Sequence, residues 1–243
     1  MISILYDTFK KWSAKGSVYI ISDPHFSDAE SFEFRKASGK LPEEVNSTED
    51  LDNYIIRNIN SVVGKNDTLI CLGDVGNIEC VAKLKAGYKV LLLGNHDKGA
   101  DNYKRAAVDI TNLKVDLAKS VKLPKELFMG EHELDKHVIF DNKLFDEVYS
   151  GPLMISDKVI LSHEPIIPCP DYLVNLCGHV HAKDHEFVVD KHKYYNFCAE
   201  AIDYRPVSLG NLIKNGLLSK VKDIHRVTVD GAIIRKKHRT GKQ

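Results

Sequence analysis

No stretch of this chain approaches the roughly 18 consecutive apolar residues of a membrane span, and the opening residues, MISILYDTFKKW, lack the continuous apolar centre of an export signal. Net charge is also missing, since 34 Lys and Arg balance 34 Asp and Glu. Neutralising nucleic-acid phosphates needs many clustered cations, so high-affinity duplex binding is disfavoured and no membrane partner is suggested. The exception is a basic end at 235–243, Arg235-Lys236-Lys237-His238-Arg239 and Lys242, read as a solubilising tail. Cysteine is sparse: Cys71, Cys80, Cys169, Cys177 and Cys198 are odd in number and form no CxxC pair. Cys71 and Cys177 lie in apolar runs, where a reduced thiol packs as a small hydrophobe. A disulfide scaffold is excluded, and a reducing compartment, the cytoplasm, is expected. Internal repeats and linker-like composition are absent too, so the 243 residues are expected to form a single domain.

What is present is an alternation of strands and helices. Strand-like runs fall at Ser17–Ser22, Thr68–Leu72, Lys89–Leu93, Lys158–Leu161, Leu173–Cys177, Phe187–Val189 and Tyr194–Cys198. Several are continuously apolar and β-branched, as strands covered on both faces are. Between the first two, Leu51, Ile55, Ile59 and Val62 keep helical spacing across Ser47–Val63, with Ser47 or Thr48 as cap. Glu79–Lys85 reads as a second short helix and Val207–Leu218 as a third. The order predicts an α/β fold with right-handed crossovers. The segment about 104–140 breaks the pattern and reads as an insertion that could set specificity. Residues 226–234 read as a hairpin around Asp230-Gly231.

Five short segments carry the chemistry: Asp23-Pro24-His25, Gly73-Asp74, Gly94-Asn95-His96-Asp97, Ser162-His163 and Gly178-His179-Val180-His181. Four follow directly on an apolar run. Polar groups just past the carboxyl ends of strands converge on the crevice where α/β sheets bind ligands. Asp23 and His25 are two apart, as are His179 and His181, and on extended chain each pair faces one way. Asp74 can bridge two cations through its two oxygens. Asn95 and His96 are neighbours and point apart, so one can be a ligand while the other reaches past the metals. The mixed Asp, Asn and His set suits Mn, Fe, Co, Ni or Zn, and without Cys it excludes a structural thiolate zinc site. Two such ions roughly 3.5–4 Å apart can hold both oxygens of an in-line displacement and make hydroxide from bound water near neutral pH. His96 is then the candidate general acid. Asp97 either orients His96 or caps the next turn, and Arg205 is a candidate phosphate contact.

In order and spacing the five segments resemble the signature of the calcineurin-like metallophosphoesterases: D-x-H, G-D, G-N-H-D/E, a lone H, and G-H-x-H. The resemblance covers residues of about 18–200. It implies an α/β four-layer α-β-β-α sandwich. It implies one divalent metal held by Asp23, His25, Asp74 and His181, and a second held by Asp74, Asn95, His163 and His179, with Asp74 bridging. His96 matches the family's leaving-group histidine. The second motif continues as Val75-Gly76-Asn77 rather than V-D-R, which sets the large protein phosphatases aside. The layout is more similar to small bacterial and phage-encoded members, so a host cytoplasm would apply if the chain is viral. The expected activity is hydrolysis of a small-molecule or nucleotide phosphoester, with diesters favoured over monoesters. Two other readings remain: a non-catalytic interaction module on the same fold, which would be expected to lose ligand or acid histidines, and a nuclease acting at nucleic-acid ends.

Overall fold

The computed structural model describes residues 1–97, 144–181, 184–189, 192–219 and 221–222. The expected insertion at about 104–140, the hairpin at 226–234 and the basic tail at 235–243 lie outside them. Among the described residues, ten strands form two sheets. In the first, β1 (Val18–Ile21), β2 (Thr68–Cys71), β3 (Tyr88–Leu92) and β4 (Glu147–Tyr149) run parallel, and β10 (Val207–Ser208) pairs antiparallel with β1. In the second, the order is β5 (Leu153–Ser156), β6 (Val159–Leu161), β7 (Val174–Cys177), β9 (His192–Asn196) and β8 (Glu186–Val189), with β6, β7 and β9 parallel.

Strand periodicity explains the layers. Val18 and Ile20, Ile70 and Leu72, Val90 and Leu92 face inward and meet Ile155, Val159, Leu161, Val174, Leu176 and Phe197 of the second sheet. Their alternates Ile21, Leu69, Cys71 and Leu91 face outward and meet the helices. Helix α1 (Ala29–Ala37) and helix α2 (Thr48–Val62) form that outer layer. Ser47 Oγ caps α2 by accepting from the Asp50 amide, and Leu51, Ile55 and Ile59 are its buried stripe. Helix α3 (Leu209–Lys214) is shorter than its sequence pattern, because Gly216 turns the chain at φ 94°. The second sheet's outer face carries Cys169, Leu173, Cys177 and Tyr194. All five cysteines are buried and none is in a disulfide.

Every observed parallel strand that precedes a motif ends within three residues of it. The sheets touch at that end through a parallel bridge between Ser22 and Cys198 and a bond from the Ser22 amide to the Phe197 carbonyl. The motifs of both sheets are thereby brought to one seam.

At the opposite side of the first sheet, Glu147 on β4 gathers four donors: Trp12 Nε1, the hydroxyls of Tyr88 and Tyr149, and Lys11 Nζ. Burial alone would raise its pKa, but these donors outweigh it and hold the carboxyl below its usual range. Glu147→Ala should cost about 2–3 kcal/mol, the scale of a lost buried acceptor for charged and neutral donors. Because the folded pKa is depressed, that contribution is complete above the ordinary Glu value of about 4.3 and fades as pH falls through the lower folded value. Denaturant unfolding followed by buried Trp12 fluorescence, from pH 7 down to pH 3, should show the wild-type advantage shrinking at the acid end.

Candidate metal centre

Six strand ends supply the site. Asp23 and His25 follow β1, Asp74 follows β2, Asn95 and His96 follow β3, His163 follows β6, His179 and His181 follow β7, and Glu200 follows β9. The ligating atoms of Asp23, His25 and His181 lie within 4.8 Å of one another, and so do those of Asp74, His163 and His179. Asp74 Oδ2 sits between the groups, 3.7 Å from His25 Nε2 and 3.3 Å from His163 Nε2. Asp74 Oδ1 is taken by the His96 backbone amide at 2.9 Å. Oδ2 is thus the oxygen that faces both groups. Asn95 Oδ1 lies 2.9 Å from His163 Nε2 and 3.0 Å from His179 Nδ1, which places it with the second group.

The backbone differs from expectation. Asp23, His25, Asp74, His179 and His181 have φ of 54°, 48°, 51°, 68° and 45°. The Asp and His of D-x-H and both His of H-x-H are thus left-handed rather than extended, because each strand ends before its motif begins. Five of the seven candidate ligands adopt a region that only a few per cent of non-glycine residues visit. Two motif glycines serve close approach. A Cβ on Gly94 would stand 2.1 Å from Asp74 Oδ1, and one on Gly178 would stand 2.0 Å from Ser22 Oγ and 2.3 Å from Asp23 Oδ2. Each glycine lets the carboxylate of another motif reach the centre.

A second layer of groups orients the imidazoles. His25 Nδ1 donates to Asp28 Oδ2 at 3.1 Å, while Asp28 Oδ1 caps α1 at the amides of Glu30 and Ser31. His163 Nδ1 donates to the Leu72 carbonyl at 2.9 Å. His181 Nδ1 donates to Glu200 Oε1 at 2.6 Å. In each case Nε2 is left facing the centre, and for His25 and His181 the bond at Nδ1 fixes the metal-binding tautomer, whereas His163 would give up its Nε2 proton on taking a cation. Glu200 is itself held by Arg35 Nε at 3.2 Å, and Arg35 Nη2 donates to the Asp23 carbonyl at 2.6 Å. Burial would raise the Glu200 pKa, but the His181 bond and the Arg35 charge pull it to about 2. Burial lowers His25 despite the nearby Asp23 charge, which keeps it neutral and able to ligate. Burial would lower His163 as well, yet the Asp74 hydrogen bond and the Asp23 and Asp74 charges push it to about 9. Asp74 is held below its usual value, burial being outweighed chiefly by His163.

The donor set fits divalent cations. Asp23 Oδ1 and His25 Nε2 are both buried without a hydrogen-bond partner and stand 3.8 Å apart. Unpaired buried acceptors and donors cost free energy unless something else satisfies them. A cation between them would do so for both.

The remaining expected residues are placed as follows. His96 is exposed, with its ring edge-to-face to His25 at 5.4 Å between centroids. Asp97 is buried, and its carboxylate accepts from the amides of Asp74 at 2.8 Å, Val75 at 3.0 Å and Gly94 at 2.8 Å. That geometry is a clamp on the loops after β2 and β3. Arg205 is exposed, and no contact of its side chain with the candidate ligands is seen among the described residues. The guanidinium at this site belongs to Arg35, which sequence reasoning passed over along with Glu200. Glu200 carried a readable signal, being a polar residue just past a strand. Arg35 carried little, because α1 buries only Phe32 and Arg35 and so lacks an apolar stripe.

Glu200→Gln keeps the volume but removes the charge that holds His181 and Arg35. Divalent-metal affinity of the first group should fall about 10–100-fold, the usual effect of losing such an outer carboxylate. Equilibrium dialysis against Mn²⁺, with folding checked by Trp12 fluorescence, measures it. Unchanged affinity would show that Glu200 does not orient a ligand.

Comparison with known proteins finds several similar chains. An uncharacterized protein of Methanocaldococcus jannaschii, MJ1445, is 26% identical over 220 residues, covering 86% of this chain and 96% of that one. A protein of unknown function from Aquifex aeolicus, AQ665, superposes with a TM-score of 0.50 at 21% identity, covering 82% of this chain and 98% of that one. The nuclease MPE of Pseudomonas putida superposes with a TM-score of 0.37 at 18% identity, covering 78% and 76%. The family model for calcineurin-like phosphoesterases matches residues 16–194, which include all five motifs, and the chain belongs to that family.

Proposed function

We propose that this protein hydrolyses phosphoesters at a centre of two divalent cations, with diesters favoured over monoesters. The observation that carries the reading is the position of Asp74 Oδ2 between two convergent donor groups. Asp23, His25, His181 and Asp74 would hold one ion, and Asp74, Asn95, His163 and His179 the other. When bound, such ions act as Lewis acids that lower the pKa of water and neutralise charge on the phosphoryl group. Manganese is the first ion to test among Mn, Fe, Co, Ni and Zn, all of which suit this ligand set.

The chain's own groups do the rest. His96 is anchored through its backbone to Asp74 Oδ1, and its ring is exposed beside His25. From there it would give a proton to the leaving alkoxide. Asp97 would act by position, fixing the amides around Asp74 and Gly94 so that Asp74 and His96 keep their relative placement. A group that protonates a poor leaving group is of most use against alkyl esters, which is why diesters of alcohols are favoured. The buried, unpaired cysteines support a cytoplasmic location, and no helix among the described residues is long and apolar enough to cross a membrane. A single domain spanning the chain, with a specificity-setting insertion near 104–140, completes the proposal.

His96→Ala should retain its metals and lose about 10²–10⁴-fold in kcat on an ester with an alkyl leaving group. The loss should be much smaller on bis-p-nitrophenyl phosphate, whose leaving group needs no proton. Equal losses on both substrates would remove the acid role. Loss of metal would make His96 a ligand instead.

A further inference from the structure

Beside the second donor group lies a recess of about 250 Å³ that opens against Asn95 and His163. Its lining also includes Gly151, Pro152, Glu164 and Ile166. This volume is below the roughly 300–1,000 Å³ of pockets for drug-sized ligands, so it suits a single ring. Among the described residues no Phe, Tyr or Trp lines it, and its one ring, the His163 imidazole, belongs to the second donor group, so nothing described there offers a stacking platform for a nucleobase or aryl group. Its lining pairs apolar Pro152 and Ile166 with the acceptors Glu164 and Asn95. A carboxylate there also repels a second phosphate.

The Glu164 wall is held in place from beneath. The Ile166 amide donates to Asn175 Oδ1 at 2.8 Å, and the Ile166 carbonyl accepts from the Tyr194 hydroxyl at 3.1 Å. The same hydroxyl accepts from the Cys169 amide at 3.1 Å. Asn175 on β7 and Tyr194 on β9 are both fully buried. Two buried polar side chains thus set the shape of this wall before any ligand arrives, which reduces the ordering cost of binding.

We infer that this recess is a subsite for an uncharged, hydroxyl-bearing ring, the sugar of a phosphoester substrate, with Glu164 accepting from its hydroxyls. The inference rests on the phosphoester reading and narrows it to sugar or nucleoside phosphoesters. The apolar face of a sugar ring meets Pro152 and Ile166, and its hydroxyl edge meets Glu164. The phosphoryl group then lies toward Asn95 and His163.

Gly151 gives a clean test. A Cβ there meets nothing within 4 Å, so a large side chain is tolerated at this edge of the recess without clashing with the fold. The metal-loaded wild type, Gly151→Phe and Glu164→Ala are titrated calorimetrically with inorganic phosphate, ribose 5-phosphate, glucose 6-phosphate and uridine 5′-phosphate. Wild type should prefer the sugar phosphates over inorganic phosphate, and either variant should reduce that preference about tenfold, the scale of one charge-assisted hydrogen bond or more. Ribose 5-phosphate binding as tightly as uridine 5′-phosphate would assign the recess to the sugar, while glucose 6-phosphate separates hexose from pentose sources. A wild type without preference, or a preference that survives both Glu164→Ala and Gly151→Phe, overturns the inference. Hydrolysis of bis-p-nitrophenyl phosphate by the same wild-type preparation reports on the phosphoester reading separately. Turnover without sugar preference sinks the subsite alone, whereas no turnover and no phosphate binding sinks both.

Discussion

The structure is organised around a surplus of buried negative charge. Asp23, Asp74, Asp97 and Glu200 are all buried at one seam, and Arg35 is the only buried Lys or Arg among the described residues. Four carboxylates against one guanidinium leave three negative charges uncompensated by fixed cations. Ionised groups taken out of water are costly unless paired. Asp97 is relieved by three backbone amides, and Glu200 by Arg35 and His181. Asp74 accepts from the His96 amide and faces His163, and Asp23 Oδ2 accepts from the His179 amide, but neither is paired with a Lys or Arg side chain and Asp23 Oδ1 has no partner. A proton on His163, whose pKa the Asp74 hydrogen bond and the two Asp charges push up to about 9, is one response to that charge. Two divalent cations would be a fuller one, and they would use the orphaned Asp23 Oδ1 and His25 Nε2 as well.

The fold concentrates this charge through strand polarity. Parallel strands of both sheets end at the same edge, where the sheets are tied by Ser22 and Cys198. Each chain then leaves its strand through left-handed residues. Strain of this kind costs on the order of 1–3 kcal/mol per residue and persists where the surroundings over-determine it. Here the surroundings are identifiable: the Asp97 clamp, the Asp28 cap that also holds His25, and the Arg35–Glu200 pair that grips both His181 and the Asp23 backbone. Arg35 and Glu200 are 165 residues apart in sequence, so the centre is complete only when α1 and the end of β9 have docked.

The strands and the motifs could be read from sequence because both depend on local patterns. Doubly buried strands are apolar throughout, and Asp, Asn and His at their ends stand out against them. Helix α2 was legible for the same reason, with a cap and a four-residue stripe. Helix α1 was not, since its burial rests on Phe32 and an ion-paired arginine. Strands β4 and β5 were missed because they are short and only partly covered, with Glu147 rather than hydrophobic contact anchoring β4. The left-handed backbone of the ligands was also invisible: residue spacing shows which groups can cooperate but not the turn that brings them together. The roles of Glu200 and Arg35 come from pairing distant in sequence, which a single chain read linearly does not reveal.

The central claim is that Asp74 Oδ2 joins two cations. Crystals of the full chain soaked in Mn²⁺ and measured near the manganese edge would test it directly through anomalous differences. The account predicts two peaks roughly 3.5–4 Å apart, as in two-metal phosphoester centres, one toward Asp23, His25 and His181 and the other toward Asn95, His163 and His179, with Asp74 between them. A single peak, or peaks away from Asp74, would contradict it.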